Sequence, residues 1–247
     1  MKRRSSNTRR QGGFTLVEIA IVLMIVGLLI GGILRGQELI QSARVRNIVD
    51  QKSAIQTAYI GFLDRYRMLP GDLTATQAAV VSPNALASIP VAGANAGDGI
   101  ISWANEGIVL FQNLTAAGFL SCGACMTVAA NGAATVTNSP NNVYGDFLDI
   151  GFLASTINGA NVSWLDLTAA GGLTQLILTT GGTVPSQVLA EVDRKADDGR
   201  PATGQLRFFS SNSALSTLAI CAPVPAGGAV NTWSNPTQSN CQGSWLL

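Results

Sequence analysis

Residues 14–34 read FTLVEIAIVLMIVGLLIGGIL, a 21-residue apolar run broken by one charge, Glu18. About 20 apolar residues rising 1.5 Å each span the hydrocarbon core of a bilayer, so this run is long enough for a transmembrane helix. Five basic residues (Lys2, Arg3, Arg4, Arg9 and Arg10) precede it. That bias predicts an N-terminus held in the cytoplasm and everything after Arg35 sent outward. Arg35, Arg44 and Arg46 weaken the asymmetry without reversing it. A secretory signal has a shorter apolar core followed by a small-x-small cleavage site. Here Arg35-Gly36-Gln37-Glu38 follows the core, and the small residues Gly12-Gly13 lie ahead of it. A generic signal anchor accounts for the helix and the basic leader, but not for Gly13 beside Phe14 or the acid four places further in.

Gly13-Phe14-Thr15-Leu16-Val17-Glu18 followed by an apolar helix resembles the prepilin leader of type IV pilins and type II secretion pseudopilins. The resemblance implies cleavage after Gly13 by a membrane prepilin peptidase, N-methylation of the new terminus at Phe14, and a part for Glu18 in assembly. It implies other pilin subunits as partners, in a homo- or hetero-polymer, together with the pilus or type II secretion machinery. The expected location is the inner membrane, single-pass with the head periplasmic. After assembly it is an extracellular filament or a periplasmic pseudopilus.

Elementary chemistry gives Glu18 a reason of its own. A carboxylate inside a bilayer costs on the order of 3 kcal/mol by insertion scales. Cleavage ahead of Phe14 creates an amine one helical turn away, in the same chain or a neighbour, that can offset the charge. The alternative is a helix-terminal Glu18 snorkelling to the interface. Gly27-x-x-x-Gly31 and Gly32-x-x-x-Gly36 have the spacing that lets membrane helices approach closely, although glycine is common in such helices anyway. Many major pilins carry a proline at the position of Arg35; this chain does not, which makes Gly31-Gly32 the expected weak point.

At 247 residues the chain has room for one sizeable domain or two small ones. It is 47% hydrophobic and 12% charged with mean hydropathy +0.30, the average of one apolar segment and an ordinary polar domain. The net charge of +1 conceals a separation: residues 35–67 hold six basic and three acidic side chains, while Met68 onward holds four basic and ten acidic. An acidic head is a poor electrostatic partner for nucleic acid, so none is expected.

Four regions follow: a cleaved basic leader over 1–13, a transmembrane and assembly helix over 14–34, an amphipathic helical stem over 35–67, and a globular α+β head over 68–247. Val45, Ile48, Ile55, Tyr59, Phe62 and Tyr66 recur at helical spacings through the stem. The stem stops at Leu69-Pro70-Gly71-Asp72, which reads as a turn. Residues 73–101 read as a loop-rich crossing, and Ser102–Phe119 as a helix that Gly118 is placed to end. Thr174–Thr180, Val188–Val192, Leu206–Ser210 and Ser216–Cys221 read as short strands of an antiparallel sheet. The fold class is therefore α+β, a long N-terminal helix packed on an antiparallel sheet.

The head carries little that suggests catalysis. The sequence has no histidine, which excludes histidine-dependent triads and metal sites, and no phosphate-binding or nucleophile-elbow motif. Carboxylate pairs such as Asp146/Asp149 and Asp197/Asp198 read as solvated turn residues. Four cysteines (Cys122, Cys125, Cys221 and Cys241) allow three connectivities in an exported domain. The resemblance favours Cys221–Cys241, since many type IV pilins close a C-terminal loop this way. Cys122-Gly-Ala-Cys125 has the spacing of a redox motif, but nothing around it suggests a thioredoxin-like βαβ unit, so a structural bridge in a small loop is expected. Asp193, Asp197 and Asp198 offer hard oxygen ligands for calcium. Arg194, Lys195 and Arg200 beside them favour a salt-bridged turn instead, so no cofactor is expected. Two functions remain: a structural filament subunit, or a minor or tip subunit whose head binds a surface, a partner pilin or a secreted substrate.

Overall fold

The computed structural model describes residues 15–81, 96–102, 106–126, 134–153, 175–209, 218–223, 232–234 and 238–247. Helix α1, Leu16–Tyr66, is a single element of 51 residues. By packing the chain divides at Ala43/Arg44, inside the stem range, so α1 contributes to two units that are taken separately.

In the first unit α1 buries almost nothing of its own. Leu16, Met24 and Leu28 are among its most exposed apolar side chains. Nothing lies within 4 Å of the places where side chains on Gly27, Gly31, Gly32 and Gly36 would begin.

In the second unit α1 changes character. Val45, Ile48, Ile55, Ala58 and Phe62 are buried on one face, and Tyr59 and Tyr66 are half-buried against the same core. Phe62 packs against Tyr66 in a tilted pair at 4.7 Å and meets Phe119 edge-on at 6.2 Å. The helix ends where Arg67 adopts a positive φ of 55°. Gly71 in the expected Leu69–Asp72 turn has φ 93°, and a side chain there would press on the Glu106 carbonyl.

Helix α2, Ala75–Val81, lies inside the segment expected to be loop, and corrects that expectation. Its start has a capping box: the Thr74 N–H and hydroxyl both donate to Gln77 Oε1 at 2.9 Å, and Gln77 N–H returns to Thr74 Oγ1. Helix α3, Glu106–Ala116, ends in the expected manner. Gly118 has φ 78°, and Phe119 N–H reaches back to the Leu114 carbonyl at 2.9 Å.

Among the described residues the sheet has four antiparallel strands: β1 Ile150–Leu153, β2 Gln175–Thr179, β3 Leu206–Phe208 and β4 Gly243–Leu246, in the order β1-β2-β4-β3. Their register sets Ile150, Leu178, Trp245 and Leu206 in one row across the sheet, and all four are buried in the core. Lys52 of α1 lies over the Trp245 ring at 5.6 Å. The C-terminal strand thus sits centrally, between β2 and β3.

Two expected strands are helical. Val188–Val192 lies within helix α4, Ser186–Ala196. Buried Val188, Leu189 and Val192 fall on one helical face, Pro185 precedes the first turn, and Glu191 pairs with Lys195 at 2.8 Å one turn on. A short apolar run cannot be assigned by β-propensity alone, and here the 3.6-residue period prevails. The end of the Ser216–Cys221 run forms the short helix α5, Leu218–Cys221. Strands β1 and β4 replace these two as members of the sheet.

Candidate functional site

The apolar half of α1 is one candidate site. Thr15 stands just before its first residue, and its hydroxyl oxygen accepts from Glu18 N–H at 3.3 Å. The same hydroxyl lies 3.5 Å from Glu18 Oε2. Glu18 therefore has a neighbour within its own segment besides any terminal amine, and it serves the first turn of the helix as well. Gly13 and Phe14 lie outside the described residues. At the far end of the apolar run, Arg35 is paired with Glu38 at 2.8 Å, both exposed. Among the described residues, α1 is the one helix long and apolar enough to cross a membrane. In water its uncovered aliphatic surface would cost roughly 25 cal/mol per Å², so lipid or other helices must cover it.

The head supplies the second group of candidates. Cys221 and Cys241 are joined with Cα atoms 5.7 Å apart, and Cys122 and Cys125 with Cα atoms 5.3 Å apart. Asp193, Asp197 and Asp198 come together, with carboxylate oxygens within 4.8 Å of one another. Each is engaged by the protein. Asp193 accepts from Trp233 Nε1 at 2.6 Å and from Gly199 N–H at 3.0 Å. Asp197 accepts from the Gln205 and Leu206 amides, and Asp198 from the Arg200 amide and the Thr203 hydroxyl. The salt-bridged turn expected from Arg194, Lys195 and Arg200 is thus corrected: Lys195 turns to Glu191, while amides and an indole hold the acids. Burial pushes Asp193 up to about 6, against the lowering effect of Trp233 and Gly199.

Asp146 and Asp149 also serve as anchors. Asp146 accepts from the Phe147 and Gly182 amides, and Asp149 from the Ile150 amide at 2.9 Å. Asp149 is buried, and desolvation pushes it up to about 7. Two further carboxylates escaped the sequence reading. Asp72, buried, accepts from the main-chain N–H groups of Gly97, Asp98 and Gly99. Glu106, also buried, accepts from Ser102 N–H, and burial raises its pKa. One clue was available for these two. No basic residue lies between Met68 and Asp193, so a buried acid there has to find amide donors.

The family model for the prokaryotic N-terminal methylation motif matches residues 8–34. No curated protein and no solved structure matches the chain. The motif, the exposed apolar helix and the α+β head are consistent with one class, that of membrane-anchored precursors with a globular head. Within it, this chain carries the signature of the type IV pilins and pseudopilins, and the signature implies assembly with other pilin subunits.

Proposed function

We propose that this protein is a structural subunit of a type IV pilus-like filament. Prepilin peptidase cuts it after Gly13, the new Phe14 amine is methylated, and the subunit enters the filament through the apolar half of α1. Before assembly it spans the inner membrane once, with the leader cytoplasmic and the head periplasmic. The observation that carries this reading is the methylation motif at 8–34 leading into a helix whose apolar side chains from Leu16 to Leu34 are all exposed. The head acts by packing and contact rather than turnover; the lack of any histidine and the use of its carboxylates as amide acceptors support that. Intact-mass analysis of membrane-extracted protein and of sheared filaments tests the proposal. The expected mass begins at a methylated Phe14, in a species abundant in the filament fraction. A retained leader, or a cut after residue 34, overturns it.

A further inference from the structure

The two disulfides occupy unlike settings. Cys221 and Cys241 are both fully buried within the core. Cys125 is fully buried too, but Cys122 retains 8% exposure and borders an open cavity of about 330 Å³. Gln51 and Ile55 of α1, Leu120 and Leu148 form other parts of the wall, and no charged side chain lines it. Small reagents therefore have a route to one end of the Cys122–Cys125 bridge that the C-terminal bridge lacks. A second observation concerns the sulfur itself: Cys125 N–H points at Cys122 Sγ at 3.1 Å. When the bridge opens, that donor favours negative charge on Cys122, the feature that makes the first cysteine of a C-x-x-C pair the exchanging one. The bridge also spans only three residues of sequence, against 20 for Cys221–Cys241, so it constrains the unfolded chain less.

We propose that Cys122–Cys125 is a thiol–disulfide exchange site, with Cys122 as the attacked and attacking sulfur and Cys125 as the resolving one. The partner is a dithiol. One of its thiolates attacks Cys122 Sγ, the Cys122–Cys125 bond breaks, and Cys125 leaves as a thiolate that takes up a proton. The partner's second thiolate then attacks its own sulfur in the mixed disulfide and releases Cys122. The protein gains two electrons and two protons, and the partner becomes a disulfide. Cys221–Cys241 stays closed throughout.

The test uses the full-length chain in detergent micelles, titrated with dithiothreitol under native conditions and followed by alkylation and peptide mapping. Cys122 and Cys125 should become labelled at reductant concentrations about tenfold or more below those that open Cys221–Cys241. In a second measurement, Cys125→Ser and Cys122→Ser proteins are incubated with oxidised glutathione. Cys125→Ser should form a mixed disulfide at Cys122, with Cys122→Ser reacting about tenfold more slowly at Cys125. Equal resistance of both bridges, earlier opening of Cys221–Cys241, or equal reactivity of the two variants overturns the proposal.

Discussion

Trp233 donates its indole N–H to Asp193 at 2.6 Å, a bond between two buried side chains 40 residues apart. It ties the loop closed by Cys221–Cys241 to the last turns of α4. Ser234 N–H adds a second tie, to the Cys221 carbonyl at 2.8 Å. The Trp233 side chain of that loop is therefore held by a carboxylate.

Trp233→Phe keeps an aromatic ring, though a smaller one, and removes the donor, leaving Asp193 Oδ2 buried with one partner fewer. The expected cost is about 1–3 kcal/mol, read as a lowered thermal midpoint of the head. In a cycle with Asp193→Ala the two costs should fall short of additive, because both changes remove the Trp233–Asp193 bond. Strict additivity would show that Trp233 acts through packing alone.

Opening the C-terminal bridge should cost more than opening the small one. Chain-entropy reasoning assigns about 3 kcal/mol to a 20-residue loop and about 2 kcal/mol to a bridge across three residues. Paired Cys→Ser variants compared by denaturant midpoint check the order. A larger loss from Cys122→Ser/Cys125→Ser would contradict it.

Asp149 gives the head a pH dependence of definite sign. Its folded value, about 7, lies above the ordinary carboxylate value of 3.8, so the folded state prefers the protonated acid. The stability this lends is full below pH 4 and disappears as pH rises through 7. Asp149→Asn keeps an acceptor for the Ile150 amide and removes the titration. Relative to the parent, the variant should gain stability steadily between pH 4 and pH 8, by an upper bound of about 4 kcal/mol. A stability difference that stays flat with pH would place the Asp149 proton elsewhere.

Glu18→Ala should separate assembly from insertion. Removing the carboxylate lowers the cost of residing in lipid, so membrane level and leader cleavage should be unchanged. The expected change is loss of the protein from sheared filaments, followed by immunoblot of membrane and filament fractions. Because Thr15 already holds the first turn of α1, the helix should survive the substitution. Wild-type abundance in filaments would exclude an assembly role, and disappearance from the membrane would assign Glu18 to stability.

The head should bind duplex DNA weakly or not at all at physiological salt. Between Met68 and Asp193 there are eight acidic residues and no basic one, so no continuous path tracks phosphates. Among the four later cations, Lys195 is paired with Glu191. A gel-shift titration showing submicromolar, salt-sensitive binding would contradict this.

The sequence by itself determined α1, its change from all-round apolar to one-sided at the stem, and its stop before Leu69–Asp72. It also determined the end of α3 at Gly118. Each depends on residues within a turn or two of one another, where periodicity, caps and breakers act directly. Tertiary structure alone decided which short runs joined the sheet. Gly243–Leu246 is a strand because β2 and β3 flank it, and Val188–Val192 is helical because its apolar face has a core to meet. Propensity over four or five residues is too weak to decide against such partners. The buried acids follow the same division. The acids themselves were plain from the sequence, but not which of them are buried: Asp72 met the amides of 97–99 and Asp193 met Trp233 only when folding brought distant segments together. A carboxylate removed from water takes whichever donors lie within reach, and the three-dimensional path of the chain sets that reach.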